Sequence, residues 1–164
     1  MSREHDSFPI VGIGASAGGL EALRELLRGL SDDAGMAYVV VQHLDPTHKS
    51  LLADLLARAT RMDVREAREG MEVCANHVYI IAPNTDLTLQ QDSLRLVPQT
   101  KTAGQHLSID TFLTSLAENA EHQAIGVLLS GTGSDGTRGL QAIKERGGFT
   151  LAQDAASAQY SAMS

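Results

Sequence analysis

The chain has 164 residues, 43% of them hydrophobic, which suits one ordinary globular core. Its formal net charge of -7 argues against phosphate-backbone binding as a main activity, because that work needs basic stripes that displace counterions. A lone cysteine, Cys74, has no disulfide partner and no companion thiols for a zinc site, and the longest apolar runs fall far short of the roughly 20 residues of a membrane-spanning helix.

The polar start Met1-Ser2-Arg3-Glu4-His5-Asp6 lacks the apolar segment of a secretory signal, so a cytoplasmic residence is expected, with residues 1–7 a tail and 8–164 one domain. Residues 8–13 form an apolar run ending in glycines, after which Leu20, Leu23, Leu27 and Leu30 recur at helical spacing, predicting strand, turn and helix. The pattern repeats with a strand over 38–41, a polar stretch over 42–49 and a helical face of Leu51, Leu52, Leu55 and Leu56. Arg58, Arg61, Arg65 and Arg68, interleaved with Asp63, Glu66 and Glu69, read as a solvated face, and Cys74 between Val73 and Ala75 as buried filler near a strand. Residues 78–82, closed by Pro83-Asn84, predict another strand, and Leu87-Thr88-Leu89 with Leu94-Arg95-Leu96 predict a small hairpin turning over 90–93.

Residues 99–105 are polar and aperiodic, hence a loop. Ser108 is then placed to cap a helix presenting Ile109, Phe112, Leu113 and Leu116, with Asp110 complementing that helix's dipole from its first turn. A strand over 124–129, a glycine-rich turn, a helix through Leu140 and Ile143 stopped by Gly147-Gly148, and a strand over 149–152 complete the series. Alternating strands and helices, with strands apolar throughout, predict a doubly wound α/β domain. Its sheet is mostly parallel, helices cover both faces, and a small β-hairpin is inserted.

In such a sheet reactive groups gather beyond the carboxyl ends of the strands. Three turns there supply a serine, a histidine and an aspartate: Gly12-Ile13-Gly14-Ala15-Ser16-Ala17-Gly18-Gly19, Gln42-His43-Leu44-Asp45, and Ser130-Gly131-Thr132-Gly133-Ser134-Asp135-Gly136. Gly14-Ala15-Ser16-Ala17-Gly18 fits the G-x-S-x-G nucleophile elbow between strand and helix, and free N–H groups at the helix start are suited to an oxyanion. The same letters support a rival: Gly12-x-Gly14-x-x-Ala17 and Gly131-x-Gly133-x-x-Gly136 fit the dinucleotide fingerprint. That fingerprint wants an acidic residue closing the second strand, where this chain has Gln42-His43, so the context favours hydrolysis without closing the alternative.

A serine nucleophile needs a base, and imidazole suits the task near neutrality. Among the six histidines only His43 directly follows an apolar strand; His48 is the runner-up, while His5, His77, His106 and His122 read as structural or solvated. His43, Asp45 and His48 make a poor metal set, with no third histidine nearby and Pro46 breaking the segment. Asp135 is placed either to hold the His43 tautomer or to cap a helix, both together only if its two oxygens divide the tasks.

The three turns, with His106-Leu107-Ser108-Ile109-Asp110 and Leu151-Ala152-Gln153-Asp154, resemble the chemotaxis-receptor methylesterase (CheB-type) catalytic domain over nearly the whole chain. The resemblance implies a serine hydrolase demethylating glutamate γ-methyl esters, and often deamidating glutamines, on the cytoplasmic helices of chemoreceptors. It implies Ser16 as nucleophile, His43 as general base and acid, Asp135 as orienting partner, backbone donors at Ala17 and Thr132 for the oxyanion, and neither cofactor nor metal. Ala17 and Thr132 stand where many members carry Thr and Met, which bears on any side-chain contribution there. The chain stops at Ala162-Met163-Ser164, before the family's usual last strand and helix, so an incomplete sheet edge is expected, as is a chain without a receiver domain ahead of Phe8. The motif wording resembles members fused to a receptor methyltransferase domain, implying such a domain in the parent chain. A nucleotide-binding module and a catalytically silent regulatory domain are the alternatives.

Overall fold

The computed structural model describes residues 7–16, 18–42, 52–83, 85–98, 107–129 and 132–153. The first strand, β1 (Ile10–Ala15), and its neighbour β2 (Ala37–Gln42) are buried at every position, so both faces of each must be covered. That accounts for their continuous apolar composition, which an open antiparallel sheet with one wet face would not require. Between them runs α1 (Leu20–Gly29), which buries Leu23 and Leu27 four residues apart on one face. A short helix, α2 (Leu52–Ala57), leads to β3 (Asp63–Glu66) and β4 (His77–Ile80). An antiparallel hairpin of β5 (Thr85–Gln90) and β6 (Ser93–Pro98) precedes α3 (Ser108–Ala120). A 3-10 turn at Glu121–Gln123, then β7 (Ala124–Leu128), α4 (Thr137–Glu145) and β8 (Phe149–Ala152) complete the described chain.

Among the described residues six strands form one sheet in the order β3-β4-β2-β1-β7-β8, every pair parallel, and the hairpin stands apart as a second sheet. The expected doubly wound α/β fold is therefore the observed one, parallel throughout its main sheet. On one face Val11, Ile13, Tyr38, Val40, Val78 and Ile80 pack under α1 and α2. On the other, Ile10, Val39, Val41 and Tyr79 pack under α3 and the hairpin, α3 contributing Ile109, Phe112, Leu113 and Leu116. Starting from β1 the chain winds outward through β2, then returns across the sheet with α3 to lay β7 on β1's other side. The crevice where the winding reverses thus lies at the carboxyl ends of β1 and β7.

The glycines of β1 are spacers for α3. A Cβ on Gly12 would fall 2.7 Å from Leu113 Cδ2, and one on Gly14 would fall 2.5 Å from Ile109 Cγ2. Their role is close helix-on-strand approach within the strand itself, which removes them from the dinucleotide-binding reading. Gly12→Ala is expected to destabilise the domain by about 1–3 kcal/mol through overpacking. Chemical denaturation checks this, and an unchanged midpoint would show that α3 yields.

Several local expectations need correction. Residues 63–66 are a strand; β3 escapes a reading by apolar runs because Val64 alone faces Val78 across the ladder while its neighbours are charged, as suits a sheet edge. The charged set over 58–69 is exposed as expected, and within it the Glu69 carboxylate accepts from Leu96 N at 2.9 Å and Arg95 Nη1 at 2.8 Å, bonds that, the backbone one first, hold it below the usual carboxylate range. Cys74 is exposed, its N–H donating to the Tyr79 hydroxyl at 2.8 Å. Ser108 is the first residue of α3 and makes no cap; its hydroxyl donates to Asp86 Oδ1 at 2.8 Å.

Tyr79 joins the 72–74 segment to the sheet, since its hydroxyl also donates to Glu72 O at 3.2 Å. Burial pushes its ionisation up to about 12, against the Cys74 N–H bond to its oxygen, which favours the phenolate and pulls the other way. Because the folded state holds this proton more tightly than the unfolded chain, the associated stability is complete below the ordinary tyrosine value of about 10 and is lost as pH rises toward 12. Denaturation between pH 9 and about 12 should therefore show a falling stability whose slope is reduced in Tyr79→Phe. An equal slope in the variant would assign the alkaline loss to other groups.

Candidate active site at the carboxyl edge

Ser16 leaves the end of β1 half-buried, two residues after Gly14, whose carbonyl accepts from Leu129 N at 2.9 Å and so binds the end of β1 to the end of β7. The serine's own carbonyl is held twice. It accepts from Gly19 N at 2.9 Å, which closes the turn into α1, and from Gln42 Nε2 at 2.8 Å. Gln42 is the last residue of β2, only 5% exposed and paired in register with Ala15. A buried amide at the end of an otherwise apolar strand thus braces the backbone that carries the serine, a role the sequence reading did not assign. Its signal was visible: a buried polar residue closing an apolar run requires a partner.

The turn from Ser16 to Gly19 delivers the chain into the N-terminus of α1, where Gly19 occupies the cap position without a side-chain cap. The first N–H groups of a helix lack intrahelical acceptors and lend the helix start a positive character, which suits a serine turn expected to develop negative charge on a substrate oxygen.

The aspartate turn follows β7. Thr132 is buried and its carbonyl accepts from Asp135 N at 3.3 Å; Gly133 and Gly136 adopt φ of 67° and 106°, left-handed values that favour glycine. Asp135 is 3% exposed. It does not cap its own helix, whose cap position is Gly136. Instead Oδ1 accepts from Asp110 N at 2.8 Å and Oδ2 from Ile109 N at 3.1 Å, so Asp135 caps α3 from across the chain. Of the two roles open to Asp135, helix capping is thus observed, with one oxygen on each amide and on a helix other than the one it precedes. Asp110 stands in the first turn of α3 as expected, and it is also 7% exposed with its Oδ1 accepting from Gly136 N at 3.0 Å and Gly139 N at 2.8 Å, so it serves the start of α4 as well.

Of the residues singled out from sequence, Ser16, Thr132 and Asp135 therefore lie at the ends of the adjacent strands β1 and β7, on the edge where the winding reverses. His43, His48, Asp45 and Ala17 lie outside the described residues, as do His5, His106 and Gly131. His77 is at the opposite end of its strand, its Nδ1 2.8 Å from Ala75 O and its ring stacked on Tyr79, a structural setting; His122 sits in the 3-10 turn after α3.

A parallel, doubly wound sheet bearing a braced serine turn and a buried aspartate at its switch point places the chain among α/β domains whose chemistry resides in strand-to-helix turns. The family model described as CheB methylesterase matches residues 11–164, and the chain belongs to that family. A protein-glutamate methylesterase/protein-glutamine glutaminase of Burkholderia thailandensis is 41% identical over 149 residues, covering 90% of this chain and 44% of the relative. One from Pseudomonas aeruginosa is 38% identical over 151 residues, covering 90% and 43%. The chain thus spans less than half the length of these curated relatives. Among solved structures, the CheB methylesterase catalytic domain of Thermotoga maritima superposes with a TM-score of 0.80 at 33% identity, covering 91% of this chain and 81% of that one.

Replacing Gln42 by the near-isosteric Leu removes the donor to the Ser16 carbonyl. It is expected to cost about 0.5–1.5 kcal/mol in denaturant unfolding, the net worth of one hydrogen bond, since the Ser16 carbonyl keeps its bond from Gly19 N. A variant as stable as the parent would mean the brace contributes nothing.

Proposed function

We propose that this chain is a hydrolase domain, formed by residues 8–164, that removes methyl groups from glutamate γ-methyl esters on the cytoplasmic helices of chemoreceptors. In this reading Ser16 is the nucleophile, His43 the general base and then acid, and Asp135 the group that orients His43. The observation that carries it is the pairing of a braced, half-buried serine turn with a buried aspartate at the adjacent strand end. Support also comes from the names of its relatives, protein-glutamate methylesterase/protein-glutamine glutaminase. His43 directly follows Gln42, the residue that closes β2 in register with the end of β1.

The chemistry is acyl transfer. Ser16 Oγ attacks the γ-carbonyl carbon as its proton passes to His43, and the negative oxygen that develops is met by backbone N–H groups at Ala17 and Thr132, each donor of this kind being worth about 10²–10³ in rate. Collapse of the tetrahedral intermediate expels methanol, which takes the proton from His43 and leaves the glutamyl group esterified to Ser16. Water, deprotonated by His43, then attacks the ester; the glutamate carboxylate leaves and Ser16 recovers its proton. A glutamine γ-amide follows the same course with ammonia as leaving group, so deamidation needs no additional residue.

No helix among the described residues is long and apolar enough to cross a membrane. Residence in the cytoplasm, where receptor methylation sites lie, belongs to the same proposal. So does a methyltransferase domain in the parent chain, which would place the opposing reactions on one polypeptide. Ser16→Ala is expected to lower methanol release from methylated receptor by at least about 10⁴-fold while leaving the fold unchanged. Release at the wild-type rate would overturn the assignment.

A further inference from the structure

Asp110 and Asp135 sit in different turns, 25 residues apart, and each supplies the helix cap that the other's helix lacks. Neither α3 nor α4 has a side-chain cap at its own cap position. Asp135 takes the Ile109 and Asp110 N–H groups in the first turn of α3, and Asp110 takes Gly136 N and Gly139 N at the opening of α4. The four donors are all backbone amides. The two helices meet closely behind this ring, where a Cβ on Gly139 would fall 2.4 Å from Leu113 Cβ, so neither can shift without carrying the other.

We propose that Asp110 is a positioning residue for Asp135, setting the direction of the Asp135 carboxylate by clamping the peptide that follows it. The proposal rests on the reading of Asp135 as the group that orients the base. Asp110 Oδ1 holds the N–H of Gly136, the residue next to Asp135 in the chain, and Gly136 has the left-handed φ of 106° that turns the chain back toward α3. That glycine is fixed from its other side as well: a Cβ there would fall 2.4 Å from Leu128 Cδ1. On the preceding side the turn is closed by Asp135 N on Thr132 O. With the backbone pinned before and after Asp135, its two oxygens reach the Ile109 and Asp110 amides, and the plane of the carboxylate is defined. Removing Asp110 releases two buried amides at the start of α4 and with them the peptide after Asp135. Asp110 itself is 7% exposed, and one oxygen already serves two donors, so it acts through Asp135 and not on substrate.

The test is a double-mutant cycle on methanol release from methylated receptor, with kcat and KM separated. Asp110→Ala is expected to lower kcat on the order of 10²-fold with KM changed by less than about 2-fold, as for a reacting group displaced by about 1 Å. Asp110→Asn, whose amide oxygen can still accept from Gly136 and Gly139, is expected to recover most of that loss. In an Asp135→Asn background, the Asp110→Ala change should cost less than about 3-fold further, because the group it positions is already disabled. Should Asp110→Ala not fold, Asp110→Glu, which keeps the carboxylate but pushes it one methylene toward Gly136, enters the same cycle. Two failures are distinguishable. If Asp135→Asn alone keeps the wild-type kcat, the assignment of Asp135 falls. If Asp135→Asn is impaired but the Asp110 variant keeps its kcat, or loses the same factor in both backgrounds, the positioning role falls and Asp110 is a helix cap only.

Discussion

The rest of the structure depends on how closely α3 lies on β1. Beyond Ile10, Gly12 and Gly14 leave the face of β1 that meets the helix without side chains, so Ile109, Phe112 and Leu113 settle almost onto the strand backbone. α3 is also the element by which the chain returns across the sheet, from the side where β2, β4 and β3 lie to the side where β7 and β8 lie. A bulkier strand would lift the helix away from β1, and with it the first turn of α3, whose amides Asp135 must reach at 2.8 and 3.1 Å. Packing in the middle of the sheet thereby sets geometry at its edge. The same device recurs at Gly139, where α4 approaches α3, and at Gly126, where a Cβ would fall 2.7 Å from both Ile143 and Leu140 of α4.

The polar groups at the carboxyl edge share one feature: they are held through backbone atoms. Gln42 grips a carbonyl of the serine turn, Asp135 accepts from amides of α3, and Asp110 accepts from amides of α4. Backbone groups have no rotamers, so a side chain anchored to them loses its freedom to one rigid partner. An arrangement of side chains bonded only to one another would leave each with freedom on both sides. A site whose reacting atoms must be placed within about half an ångström benefits from this difference.

Most of the architecture was legible because two signals were strong. β1, β2 and β7 are apolar without alternation, as parallel strands covered on both faces must be, and Leu23 and Leu27 mark the buried stripe of α1. β3 was not legible, since three of its four residues are polar and its apolar partner Val78 comes fourteen residues after Val64. The glycines misled in a specific way. Gly12 and Gly14 fit a ligand-binding fingerprint and a packing requirement equally well, because a sequence records that a side chain is missing but not what fills its space. At the site, the serine and aspartate turns could be read from strand ends alone. The Asp110 link could not, since its helical position invited the local role of dipole complement, and only the fold brings α4 to it.

A carboxylate near a helix start can satisfy its own helix or a neighbour's, and the local cap is available as soon as the helix forms, whereas the distant one requires the tertiary fold. Asp110 and Asp135 both take the distant option, and each does so through a helix the other has completed. Neither bond set can form without docking of α3 against α4, so the start of both helices becomes conditional on correct packing. The carboxyl edge is therefore assembled as one cooperative unit. A chain with this edge half-formed would expose four unmet amides beside two buried carboxylates, a combination costly enough to be sparsely populated.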